Sequence, residues 1–201
     1  MVLAYHSIFG MYGFWLPNDP RGSGSDYVGA LNVLRFGSAT KVNTRHSVAS
    51  REHDTIRREL VYRALSHPRV AISGKQAVVI ATGFATAIEQ GNYRLFACAI
   101  MPEHVHLVVE CHARPVRQIV GHLKSRATQQ LRAEGDWPNE QPLWGAHGWN
   151  VPLGDVSAVR RAIAYVEDNP VKEGMKRQKW SMVTPFVPQQ RVASDAARRR
   201  K

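Results

Sequence analysis

An α+β domain built on one antiparallel sheet is the fold expected of this chain, on three grounds. Leu3 to Trp15 alternates apolar with small or polar residues and is rich in aromatics, which suits a strand. Pro115 to Ala133 carries Val116, Ile119, Val120, Leu123, Ala127 and Leu131 as one apolar stripe at helical spacing. Turn residues divide the rest so that the order becomes strand, helix, strand, strand, helix, strand and a further helix. That order is the split βαβ pattern of ferredoxin-like folds, with an extra C-terminal helix and an insertion after the first strand.

The first strand runs into a dense cluster of turn residues, Leu16 to Ser25. Glu52 to Ser66 then shows Ile56, Leu60, Val61 and Leu65 at helical spacing, and Pro68 stops it. The segment from 16 to 72 is therefore an elaboration of the basic pattern. A helix is expected from Gly74 to Glu89, then strands from Tyr93 to Met101 and from His104 to Cys111. After the Pro115 helix come a loop from Asp136 to Ala146 and a short strand from Gly148 to Leu153. Asp155 suits the N-cap of the last helix, which is expected to end near Asn169 because Pro170 discourages continuation. The domain is expected to span 1–174, and 175–201 to form a basic tail whose last dozen residues are flexible.

A formal charge of +11 and a pI near 10.2 imply a polyanionic partner, since lysines and arginines set against phosphates release counterions. No apolar run approaches the roughly 18 residues that cross a bilayer, so no membrane association is expected. The start, Met1 to His6, has no secretory pattern, and a cytoplasmic location follows as the expectation. Cys98 and Cys111 make neither a disulfide framework nor a paired zinc motif and are expected as reduced, half-buried strand residues.

Chemistry concentrates in two places. In the strand His104-Val105-His106-Leu107-Val108-Val109-Glu110, side chains two apart leave on the same face. His104 and His106 therefore project in parallel, a geometry that suits two nitrogen ligands on one divalent ion. Glu110 shares that face further along. On the last helix, Val156, Val159, Ile163 and Val166 form the apolar stripe, and Tyr165 lies on its flank with Ala158, Arg161, Ala162 and Asn169. Asn169 stands one turn beyond Tyr165, so one flank presents a nucleophile and a third, oxygen-donating ligand.

Ile100 to Val109, with Met101-Pro102-Glu103-His104-Val105-His106 at its centre, closely resembles the signature strand of the HUH single-tyrosine transposases, in which U is a bulky apolar residue. Tyr165-Val166-Glu167-Asp168-Asn169-Pro170-Val171-Lys172-Glu173-Gly174 resembles the tyrosine helix of their REP-associated branch. The resemblance extends from Ala4 to Pro185 and includes the loop Gly13 to Gly22; Glu103 departs from the usual Asn or Asp, and the insertion is long. It implies a domain that cuts single-stranded DNA at a hairpin or palindromic site without ATP. The enzyme would stay attached to the 5′ phosphate through tyrosine and act as a monomer or a homodimer. Tyr165 would be the nucleophile, and His104, His106 and Asn169 would hold Mg²⁺ or Mn²⁺.

For DNA binding, Lys124, Arg126 and Arg132 on the preceding helix and Arg161 and Lys172 beside the tyrosine are candidate phosphate contacts. Trp15, Trp144 and Trp149 are candidate stacking residues. Asn18 and Arg21 are candidates for hairpin recognition. The alternatives are a hairpin-binding protein that has lost cleavage, an HUH nuclease for replication initiation, and a zinc protein using Cys98, Cys111, His104 and His106. The intact His104, His106, Tyr165 and Asn169 set speaks against the first. Cys111, on the opposite face of the strand, speaks against the last.

Overall fold

A computed structural model describes residues 1–14, 16, 17, 31–37 and 54–188. Trp15, Asn18 and Arg21 lie outside the described residues. The strands are β1 (Ala4–Met11), β2 (Leu95–Ile100), β3 (His104–Glu110) and β4 (Trp144–Leu153). The helices are α1 (Thr55–Arg63), α2 (Gly74–Gly91), α3 (Val116–Ala133) and α4 (Val156–Lys172), and a 3₁₀ turn spans Leu31–Phe36.

The four strands form one sheet in the order β2-β3-β1-β4, with every neighbouring pair antiparallel. β3 thus lies between β1 and β2, and β1 between β3 and β4, which is the ferredoxin-like arrangement.

The sheet separates two cores. On one face Phe9, Met11, Leu95, Cys98, Ile100, Val105, Leu107 and Val109 pack against α2 and α3 through Ile80, Phe84, Ile119, Leu123 and Leu131. Fully burying each of these large apolar side chains contributes about 1.5–3 kcal/mol. The two helices nearly touch: a Cβ on Gly83 would stand 2.5 Å from the Ala127 Cα. On the other face Ala4, Phe96, Ala97, Ala99, Met101, Val108 and Leu153 pack against Val159, Ala162 and Val166 of α4. In the insertion, Leu16, Val33 and Val61 form a small cluster of their own.

Four expectations shift. β4 begins at Trp144, four residues before the expected Gly148, because the Trp144 ring stacks on Phe84 and its indole N–H donates to Lys124 O and Thr128 Oγ1. Cys98 is fully buried and Cys111, just past β3, is exposed. Pro170 does not end α4, which continues to Lys172 and closes on Gly174 at φ +75°. There the Met175 N–H donates to Pro170 O at 2.8 Å and the Gly174 N–H to Val171 O at 3.0 Å, a Schellman closure. Finally, 175–188 is packed onto the domain. Both amide atoms of Gln178 pair with the Ile100 backbone at 2.8 Å, and the Thr184 N–H donates to Leu95 O, which covers the open edge of β2. The last dozen residues lie outside the described residues.

Candidate active site

The strand alternation that buries Val105, Leu107 and Val109 towards α2 and α3 turns His104 and His106 towards α4. Their ring centres stand 4.9 Å apart, edge to face. His104 is capped by the ring of Phe14, stacked at 5.0 Å. Phe14 folds back over β1 because Gly10, opposite His104 in the register, has no Cβ: one there would lie 2.7 Å from Phe14.

A third imidazole joins them. In the β1–β3 register Ile8 faces His106 and His6 faces Val108, so His6 is the diagonal neighbour of His106 on the same face. Its Nε2 lies 3.2 Å from His106 Nδ1, at hydrogen-bonding distance, with the two rings stacked at 5.4 Å.

α4 supplies the other half. Its N-terminus is fixed by Asp155, whose carboxylate accepts from the Ala158 N–H at 2.8 Å. Val159, Ala162 and Val166 seat it on the sheet, and Tyr165 on the neighbouring flank reaches the histidines. Tyr165 meets both His106, at 5.7 Å between ring centres, and His6, at 5.6 Å, edge-on. It stays 43% exposed, so a large ligand can reach the phenol. The extra turn past Pro170 places Lys172 Nζ 4.8 Å from the centre of the Tyr165 ring. It also brings Glu173 Oε1 to 3.8 Å from His104 Nε2. Asn169 lies one turn from Tyr165 and one from Glu173, on the flank that both use to meet the histidines. It is buried, and its amide nitrogen has no hydrogen-bond partner among the described residues.

Burial sets the protonation of the cluster. It lowers His6 to about 4 and His106 well below its ordinary value, the latter assisted by the charges of His104 and His6. Both rings are therefore neutral near pH 7 and carry lone pairs. Tyr165 is pushed up, first by burial and then by the Glu173 carboxylate, so its phenol is protonated at rest. Among the described residues, no three His, Cys, Asp or Glu side chains are arranged to hold a metal on their own. A metal at His104 and His106 would need a donor of another kind, and the side-chain oxygen of Asn169, buried one turn beyond Tyr165, has that chemistry.

The sequence profile described as Transposase IS200 like matches residues 57–168. The chain belongs to the IS200-like transposase family. The match takes in His104, His106 and Tyr165 and stops one residue short of Asn169. Among solved structures, the chain resembles a REP-associated tyrosine transposase bound to a REP hairpin, at 11% identity and a TM-score of 0.48 over 87% of this chain and 70% of that one. A second similar structure, from Deinococcus radiodurans R1 and described as a transposase, has 14% identity and a TM-score of 0.40 over 84% and 91%. No curated protein matches the chain.

In this transposase the residues expected at the site divide cleanly. His104, His106, Tyr165 and Lys172 meet, Asn169 is buried one turn beyond Tyr165, and Arg161 lies exposed one turn before it, bonded to Ser157. The α3 residues do not join them, because α3 covers the opposite face of the sheet. Lys124 is turned inward: its Nζ donates to Gly145 O at 2.9 Å and lies over the Phe9 and Trp144 rings. Arg126 binds Gln90 and Gln129, and Arg132 binds Asn139 O. Glu110 is paired with Arg94 at the far end of β3. Trp144 is a core residue, whereas Trp149 is 41% exposed and shares the histidine face through its register with Ile8.

Two residues escaped the sequence reading, His6 and Glu173. A signal for His6 exists, a lone imidazole at an alternate position of an apolar strand, but its meaning depends on the pairing of β1 with β3. Glu173 was hidden by the assumption that Pro170 ends the helix. Among the described residues no helix is long and apolar enough to cross a membrane.

Proposed function

We propose that this transposase cuts and rejoins single-stranded DNA beside a hairpin, with Tyr165 as nucleophile and His104, His106 and Asn169 as the holders of Mg²⁺ or Mn²⁺. The observation that carries the reading is the seat of Tyr165 against His106, with Asn169 buried one turn away. Two nitrogen donors and one oxygen donor fit a divalent ion of this kind.

When bound, the ion would offset negative charge that develops on the non-bridging oxygens of the attacked phosphate. The chain's residues perform the rest. The Tyr165 oxygen forms a bond to phosphorus as the bond from phosphorus to the 3′ oxygen breaks. The phenolic proton is lost to solvent and the departing 3′ oxygen takes one up, so the released strand ends in a 3′-OH and the 5′ phosphate stays on tyrosine. Lys172 above the ring face favours the phenolate character that develops during attack. The phosphotyrosine link keeps the bond energy, so a 3′-OH can reverse the step and rejoin a strand. The hairpin preference rests on the resemblance of Tyr165 to Gly174 to the REP-associated tyrosine helix.

The test uses purified protein, Mg²⁺ or Mn²⁺ and a panel of hairpin-bearing single strands. A protein–DNA adduct stable in denaturant is expected with the natural sequence and absent with Tyr165→Phe, while the variant still shifts the strand in a gel. An adduct that survives Tyr165→Phe refutes the nucleophile.

A further inference from the structure

His6 is a half-buried imidazole with its own place in the site, and nothing in the cleavage reaction above uses it. It comes from β1, whereas the other site residues come from β3 and α4. Its one hydrogen-bonding contact among the described side chains is the 3.2 Å approach of Nε2 to His106 Nδ1. Between two neutral imidazoles such a contact needs one N–H and one lone pair, so each ring adopts a single tautomer.

The direction of that bond follows from what His106 must do. An imidazole that ligates a metal through one nitrogen carries its proton on the other, and a neighbour that accepts this proton fixes the ring and raises its basicity. His106 Nδ1 is the nitrogen turned to His6, which leaves Nε2 with the lone pair. We propose that His6 is a positioning residue for the metal ligand His106, accepting a hydrogen bond from its Nδ1 and so holding it in the tautomer and orientation that ligation requires. This inference rests on the assignment of His104 and His106 as metal ligands.

Direct ligation by His6 is the competing arrangement, since two nitrogens on one ion also lie about 3 Å apart at metal–nitrogen bonds near 2.1 Å. The Tyr165 ring edge lies against His6, which fills the space on that side.

The experiment measures Mn²⁺ binding in the absence of DNA. Electron paramagnetic resonance gives the affinity, and its spin-echo modulation counts the imidazole nitrogens on the ion. Four proteins are compared: the natural chain, His104→Ala, His6→Phe and His6→Gln. The natural chain is expected to bind with two imidazole nitrogens, and His104→Ala to lose the site. His6→Phe keeps a ring but removes the acceptor, and should weaken Mn²⁺ binding roughly tenfold or more with the nitrogen count unchanged. His6→Gln offers an amide oxygen to the same N–H and should recover most of the affinity. Equal affinity in His6→Phe and the natural chain overturns the inference while leaving the metal site standing. A count of three nitrogens that falls to two in His6→Phe also overturns it, by making His6 a ligand. A natural chain that binds no Mn²⁺ removes the metal reading and this inference together. Circular dichroism of the four proteins separates a lost site from a lost fold: a weakening in His6→Phe supports the inference only with an unchanged spectrum, and an unfolded His6→Phe passes the decision to His6→Gln, which must then bind as the natural chain does.

Discussion

Tyr165 and His106 come from opposite sides of a helix–sheet interface, and their rings meet edge to face at 5.7 Å between centres. Val159, Ala162 and Val166 dock α4 on the strands, and the flank next to that stripe carries Tyr165 onto the histidine face. The same docking sinks Asn169, one turn on, where its amide nitrogen finds no partner among the described residues.

An orphaned buried amide costs stability, on the order of 1–3 kcal/mol. Asn169→Leu, which fills a similar volume without polar atoms, is therefore expected to raise the thermal midpoint of the metal-free protein while abolishing the covalent adduct with hairpin DNA. Calorimetry and the adduct assay on the same preparation check both halves. A variant that is less stable and still forms the adduct would falsify the assignment of Asn169.

Acid should destabilise the metal-free protein before its carboxylates titrate. His6 titrates near 4 when folded against about 6.5 when unfolded, and His106 is lowered in the same direction. Between those values the unfolded chain binds more protons, so stability is full above about pH 6.5 and declines as pH falls towards 4. For His6 alone the loss is at most about 3 kcal/mol over that window. Urea unfolding from pH 7 to pH 5 should show the slope, and His6→Gln should reduce it to the part that His106 contributes. A flat profile in the natural chain would show that the histidines are not held neutral.

The two faces of the sheet should differ in their response to DNA. Trp149 is exposed on the histidine face, so Trp149→Ala should weaken binding of an unpaired strand by roughly tenfold, the worth of one stacked base. Lys124 is directed into the α3–β4 packing, so Lys124→Met should leave the affinity and its salt dependence unchanged. Fluorescence anisotropy at several salt concentrations distinguishes them. The reverse ranking would place the DNA on the α2–α3 side.

Local rules made much of the domain readable in sequence. Strand parity put His104 and His106 on one face, helical periodicity put Tyr165 and Asn169 on one flank, and Asp155 marked the start of α4, because each depends only on residues a few positions apart. The order of elements was enough to anticipate the β2-β3-β1-β4 sheet. What only the tertiary structure decided was long-range. The register of β1 against β3 brought His6 to His106, a hundred residues away in sequence. The choice of sheet face separated α3, with Lys124, Arg126 and Arg132, from the histidines. The helix beyond Pro170 was decided by the Schellman closure at Gly174 and by the packing of 175–188 onto β2, and that added turn brought Lys172 and Glu173 to the site. Pairing register and face are set by how whole elements bury their apolar surfaces together, and no short window of sequence contains that information.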